Sequence, residues 1–296
     1  MSNDQQPLNT TAGVIYLVAT PIGNLEDITL RALRTLREAD LIACEDTRRT
    51  GRLLRHFEIQ KPLVSCHEHN ERERAQRLVA RALDGESVAL VTDAGTPAIS
   101  DPGYRLVRAA LDASVSVVSI PGPTASIAAL AASGLPTDSF HFKGFLPRKS
   151  LRRRKAIRAI ANSEGTTILY EAPHRILVTL QDIGEILGDR AVVVARELTK
   201  LHEEYLRGTA TSIREELEER SSVKGEFVVL VGPSEGTRAE LEESLATRVS
   251  TLQRLGKSRM DAIKQAARER GLTKREAYAR LQRDTMRPRT DGTPAA

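Results

Sequence analysis

The chain has 296 residues, 28% charged and 40% hydrophobic, with a formal charge of +5, which suits a protein able to bury a sizeable core in more than one domain. No apolar run approaches the roughly 20 residues that a membrane-spanning helix needs, and the polar first dozen residues (1–12) lack the apolar core of a secretion signal. These features, with only Cys44 and Cys66 and no CxxC pair, argue against membrane and secreted classes and for a cytoplasmic protein with reduced thiols.

Residues 1–12 read as a disordered lead-in. Beyond them, short β-branched runs alternate with helical periodicity. Strands are predicted at Val14–Thr20, Leu41–Glu45, Leu63–His67, Val88–Thr92 and Val115–Ile120, and helices at Leu30–Glu38, Arg48–His56, Arg72–Leu83, Tyr104–Leu111 and Thr124–Ala132. This alternation means right-handed βαβ units and a mainly parallel sheet. The break Ser133–Asp138, rich in turn formers, closes a first α/β domain over 13–134. A second α/β domain over 138–233 carries predicted strands at Phe140–Phe145, Thr167–Glu171, Ala191–Glu197 and Glu226–Val231, a short extra run at Glu204–Arg207, and helices at Leu151–Ala161, Ile176–Leu187 and Ile213–Glu219. After Gly232–Gly236 the pattern is helical only, giving a basic helical domain over 237–285. Its helices Asp261–Arg270 and Lys274–Arg283 are joined by Gly271-Leu-Thr273, with Gly ending one helix and Thr capping the next, as in a helix-turn-helix. Residues 286–296 read as a disordered tail.

Three Gly- and Pro-containing loops begin where predicted strands end: Thr20–Asn24, Thr92–Gly103 and Pro121–Ser126. In an open parallel sheet the carboxyl strand ends share one edge, where ligands bind. Gly and Pro let the main chain turn sharply and approach a ligand closely. The three loops together imply a pocket built largely from main chain. Neither GxGxxG nor GxxxxGK[ST] occurs, which disfavours a dinucleotide or nucleoside triphosphate held by those devices. His67-Glu-His69 places two imidazoles on one face of an extended segment, but no third ligand at a recognisable spacing accompanies them, and no metal is expected.

Charged groups gather at several predicted strand ends. In Cys44–Arg49 two acids precede two arginines; the acids either cap the following helix or bind substrate and accept a proton. Tyr170–Arg175 and Ala195–Lys200 repeat the theme in the second domain and would face the first across a cleft. Between Lys143 and Arg158 there are eight Lys/Arg and no Asp/Glu, and from Arg254 to Arg289 twelve against four. Such excesses suit either a polyanion, most often nucleic acid, or a solvated helix face.

The strings Val18–Arg31, Cys44-Glu-Asp-Thr-Arg48, Val91–Gly103, Pro121–Ser126 and Glu171-Ala-Pro-His-Arg175 closely resemble the ribosomal RNA small subunit methyltransferase I family, within the tetrapyrrole-methylase-like group of S-adenosylmethionine enzymes. The resemblance implies two α/β domains with the methyl donor in the cleft between them, a small C-terminal helical domain, and a homodimer. It implies transfer of a methyl group to the ribose 2′-oxygen of a cytidine in the decoding region of small-subunit (16S) rRNA, as free rRNA or in the assembled subunit, with no metal. By position, the donor pocket would use Pro21, Gly23, Asp93, Ala94, Gly95, Thr96, Ile99, Pro121, Gly122 and Thr124, joined by Phe145, Tyr170, Ala195 and Leu198. Strand-end position makes Glu45, Asp46, Glu171, Glu197 and Lys200 the candidates for the base that activates a ribose hydroxyl. Arg48, Arg148, Lys149, Arg152, Arg153, Arg175 and Arg196 are the candidates for holding RNA. The alternatives are methylation of a tetrapyrrole or other small molecule, and a non-catalytic RNA-binding assembly factor; the basic clusters oppose the first, and the donor loops would have no task in the second.

Overall fold

In the computed structural model the described residues are 13–234, 245–269, 272–273, 275–278 and 281. The first unit alternates β1 (Val14–Val18), α1 (Leu30–Glu38), β2 (Leu41–Cys44), α2 (Thr47–His56), β3 (Leu63–Ser65), α3 (Glu71–Leu83), β4 (Val88–Val91), α4 (Tyr104–Asp112), β5 (Ser116–Ile120) and α5 (Ala125–Ser133). Its sheet has the order β3-β2-β4-β1-β5 with every pairing parallel, as the alternation predicts. Strands covered on both faces need unbroken apolar runs. Thus Leu41, Ala43, Val88 and Leu90 pack toward α3 and α4, while Ile42, Cys44, Ala89 and Val91 pack toward α1 and α2. The neighbouring strands β1 and β4 lead to helices on opposite faces, which opens a crevice at their carboxyl ends.

The second unit comprises β6 (Phe140–Phe145), α6 (Ser150–Arg158), β7 (Thr166–Glu171), α7 (Ile176–Leu187), β8 (Ala191–Arg196), β9 (Glu204–Thr209), α8 (Ala210–Glu218) and β10 (Phe227–Val231). Its sheet, β6-β7-β10-β8-β9, is mixed: β6 and β7 are parallel and the other pairings antiparallel. With β10 reversed between them, β7 and β8 run in the same direction, and Phe227 pairs with both Glu171 and Arg196. The charged ends of β7 and β8 and the start of β10 therefore meet at one edge.

Side-chain alternation separates the two faces of this sheet. Leu169, Val192, Val194, Phe227 and Val229 pack with α6, α7 and α8, whereas Ile168, Val193, Ala195, Val228 and Leu230 pack with Ala129 and Leu130 of α5. Helix α5 precedes the break at 134 yet covers the second sheet. Its carboxyl end is fastened there by Arg207, which donates to the carbonyls of Ala132 (2.6 Å) and Ser133 (3.2 Å). Gly134 then leaves the helix with φ +80°, a conformation glycine adopts without strain.

Toward the C-terminus, α9 (Leu245–Arg254) and α10 (Arg259–Glu269) pack through Leu245, Val249, Leu252, Ile263 and Ala266. The expected cap at Thr273 is present: Glu276 N–H donates to its hydroxyl (3.3 Å), and Glu276 Oε2 accepts from Thr273 N–H (2.8 Å). The expected helix Lys274–Arg283 is described only at 275–278 and 281, where it is helical. The predicted lead-in 1–12 and tail 286–296 lie outside the described residues.

Candidate active site

The loops after β1, β4 and β5 are joined through their backbones. Thr20 N–H donates to Gly95 O (2.9 Å) and Gly95 N–H to Thr20 O (3.0 Å). The Thr20 hydroxyl donates to Thr92 O (3.1 Å) and that of Thr96 to Pro123 O (3.3 Å). Two glycines permit this closeness: a Cβ on Gly122 would lie 2.8 Å from that of Ala19, and Gly103 sits at φ +140° with the Leu90 side chain 2.9 Å from where a Cβ would be. The long β4 loop is held at its far end by the buried Glu71, whose Oε1 accepts from the backbone N–H groups of Gly103 (2.9 Å) and Arg105 (2.8 Å).

Above these loops, between the two units, lies a cavity of about 350 Å³. Among the residues expected at a donor pocket, Asp93, Ala94, Gly95, Thr96, Ile99, Thr124, Phe145, Tyr170 and Leu198 line it. Pro21 and Gly23 line an adjoining hollow of about 330 Å³. Pro121, Gly122 and Ala195 line neither: Pro121 is exposed, Gly122 packs on Ala19, and Ala195 is fully buried in the cluster under α5. The apolar wall is organised by Tyr170, whose ring meets those of Phe142 and Phe145 edge-on at centroid distances of 5.0 and 5.7 Å.

The ionisable groups fall into distinct roles. Asp46 caps α2 by accepting from Arg48 N–H (2.8 Å), and the Arg48 side chain holds its carboxyl well below the usual carboxylate range. Glu171 is buried and accepts from Ala172 N–H (2.9 Å) and the Thr179 hydroxyl (2.7 Å), with Arg175 Nε 3.3 Å away. Glu197 Oε1 accepts from Lys200 Nζ (2.8 Å) and Glu226 N–H (2.9 Å), and Lys200 also meets Glu226 Oε2 (2.9 Å). Burial disfavours charge on both Glu197 and Lys200, but their mutual pairing wins: the carboxyl is lowered and the ammonium raised. Lys200 is thereby kept protonated, a cation rather than a base. Glu45 differs. Half-buried, it accepts only a long hydrogen bond from the Thr92 hydroxyl (3.5 Å), and burial followed by the nearby Asp93 charge raises its carboxyl.

Asp101 was hidden within the long β4 loop string and no spacing rule marks it. It lines the larger cavity, and burial first, then the charges of Glu45 and Asp93, push its carboxyl up to about 6. Arg49, the second arginine of the charged run Cys44–Arg49, and Glu226, which no sequence pattern marks, also line the cavity, Arg49 paired with Asp93 Oδ2 at 3.1 Å. Of the cations expected to meet RNA, Arg148, Lys149 and Arg152 are exposed on or beside α6, and Arg48 is exposed. Arg153 is buried against Asp182 (2.7 Å), Arg175 donates to Leu146 O (2.8 Å), and Arg196 pairs with Glu204 (2.8 Å). Among the described residues no group of His, Cys, Asp and Glu is arranged to hold a metal.

Residues 14–214 match the profile of the tetrapyrrole (corrin/porphyrin) methylases. The ribosomal RNA small subunit methyltransferase I of Halalkalibacterium halodurans is 50% identical over 272 residues, 90% of this chain and 93% of that protein. The chain belongs to the ribosomal RNA small subunit methyltransferase I family. Its relative of the same name from Synechocystis sp. is 49% identical over 269 residues, 90% of this chain and 96% of that one. A uroporphyrin-III C-methyltransferase from Thermus thermophilus, solved in complex with S-adenyl homocysteine, shares the fold with a TM-score of 0.51 at 21% identity, over 74% of this chain and 97% of that chain.

As a member of this family the protein is an S-adenosylmethionine-dependent methyltransferase. The cavity fits such a donor. Its volume of about 350 Å³ falls in the range of small-molecule sites, with apolar walls from Ile22, Ile99, Phe145 and Leu198 and a few polar groups to orient the ligand. Ala94, Gly95 and Thr96 line it, with Gly95 at φ +85°.

Proposed function

We propose that the protein methylates the ribose 2′-oxygen of a cytidine in small-subunit rRNA, free or in the assembled subunit. The observation that carries this reading is the cavity walled by both units over three interlocked main-chain loops, in a chain half identical to ribosomal RNA small subunit methyltransferases. The residues lining the cavity, from Asp93 to Leu198, hold the donor, whose sulfonium supplies an electrophilic methyl group. The apolar walls exclude water and hold the ribose oxygen in line, where alignment lowers the barrier. Proton acceptance falls to the Asp101 carboxylate with Glu45 beside it, since a base works best when its proton affinity lies near the operating pH. Asp46, Glu171 and Glu197 are already engaged in a cap or in ion pairs and hydrogen bonds.

This reading places the protein in the cytoplasm, acting as a homodimer. The homodimer is supported by the exposed Leu83, Tyr104 and Leu111 on α3 and α4. The exposed Arg148, Lys149 and Arg152 supply backbone attraction for RNA. The test is methyl transfer from labelled S-adenosylmethionine to small ribosomal subunits from cells lacking the protein. Label recovered in 2′-O-methylcytidine supports the reading; donor binding with no labelled subunit refutes it.

A further inference from the structure

The cavity assigned to the donor adjoins the second hollow of about 330 Å³, and the two have different chemistry. Both are lined by Ile22, Arg49, Asp93, Ala94 and Glu226, so they meet there. The larger one is walled by Phe145, Tyr170 and aliphatic side chains. The smaller one runs along α2, where Arg49, Arg52, Leu53 and His56 stand three or four residues apart and share one helix face. At the junction the charges are fixed in pairs, Arg49 with Asp93 (3.1 Å) and Lys200 with Glu226 (2.9 Å). Farther along, Arg52 and His56 are exposed, and neither pairs with a carboxylate among the described residues. Arg55 lies on another face and lines a separate hollow with Glu58 and Lys61.

We propose that the hollow along α2 receives the nucleotide to be methylated, with Arg52 and His56 on its backbone phosphate and its ribose presented where the two cavities meet. This rests on the function proposed above and deepens it. The methyl group has to pass between donor and acceptor at their point of contact, and the shared wall of Asp93, Arg49 and Glu226 is that point. A guanidinium without a carboxylate partner matches a phosphate in charge, and an imidazole N–H beside it adds a hydrogen-bond donor. A single splayed nucleotide is also the form in which RNA offers its ribose to a pocket.

The test compares Arg52→Ala, the double variant Arg52→Ala/His56→Ala, and Arg55→Ala, all in the full-length protein. KM for small subunits, the Kd of S-adenosylhomocysteine and the salt dependence of rRNA binding are measured for each. The double variant is expected to raise the subunit KM about tenfold and to lower the slope of log affinity against log salt by about 0.7 for each lost phosphate contact. Donor affinity stays within about twofold, and Arg55→Ala behaves as the parent. If the parent methylates subunits but the Arg52 and Arg55 variants are alike, or if donor affinity falls in step with subunit KM, this assignment is overturned and the function stands. A parent that binds donor and labels no subunit overturns both.

Discussion

Asp101 is where stability and chemistry pull against each other. Its folded value of about 6 lies above the usual aspartate value of about 4, so folding favours the protonated form. Its contribution to stability is therefore greatest below pH about 4 and is lost as the pH rises through about 6. Asp101→Asn cannot ionise and is expected to be more stable than the parent at pH 8, by about 1 kcal/mol after allowing for solvent screening, with the gap closing toward pH 4. Its methyl transfer is expected to fall by about a hundredfold or more. Denaturant melts at the two pH values check the first, and single-turnover transfer the second; equal stability at pH 8 would remove the strained carboxylate. Glu71 offers the opposite case. Glu71→Ala strips two backbone N–H groups of their acceptor at Gly103 and Arg105 and is expected to cost about 2–3 kcal/mol in urea unfolding.

The β4 loop and the β5 loop depend on contacts between elements. Gly122→Val would press the β5 loop off the end of β1, because even a Cβ there meets Ala19 at 2.8 Å. Donor affinity measured by calorimetry is expected to drop about tenfold or more while the far-ultraviolet spectrum keeps its shape. This scale also shows what the sequence made legible. Alternating β-branched runs and helical patterns placed the strands and helices of the two α/β units, because both faces of each sheet are buried and the apolar pattern records it; the helix Leu245–Arg254, which packs on no sheet, was not placed. The three interlocked loops were legible because glycine and proline mark close main-chain approaches. The roles of Asp46, Glu171 and Glu197 were not, since a strand-end acid reads the same whether it caps a helix, pairs with arginine or faces a ligand. Arg52 and His56 stayed hidden for a similar reason: their helix face is defined by a hollow completed by the loops after β1 and β4 and by Lys200 and Glu226, remote in sequence.

At the scale of the whole molecule, α5 ties the two sheets into one structure. The β5 loop Pro121–Thr124 runs directly into it, and its Ala129 and Leu130 lie in the cluster built on the second sheet. Leu130→Ala is expected to cost about 2–5 kcal/mol. The two α/β units are expected to melt in one transition that shifts as a whole, followed by calorimetry; separate transitions, with only one displaced, would show that the units fold apart.

The order of strands in the second sheet carries a consequence for synthesis on the ribosome. Strand β10 is the middle strand, between β7 and β8, yet it is the last one made, ending at Val231. Until it emerges, β7 and β8 have no shared partner, and α5, complete at Ser133, has no finished surface to cover. At about 5–20 residues per second this interval lasts roughly 5–20 s. Throughout it the apolar side of α5 waits uncovered in the nascent chain, so synthesis from Ser133 to Val231 is the stretch most exposed to misassociation.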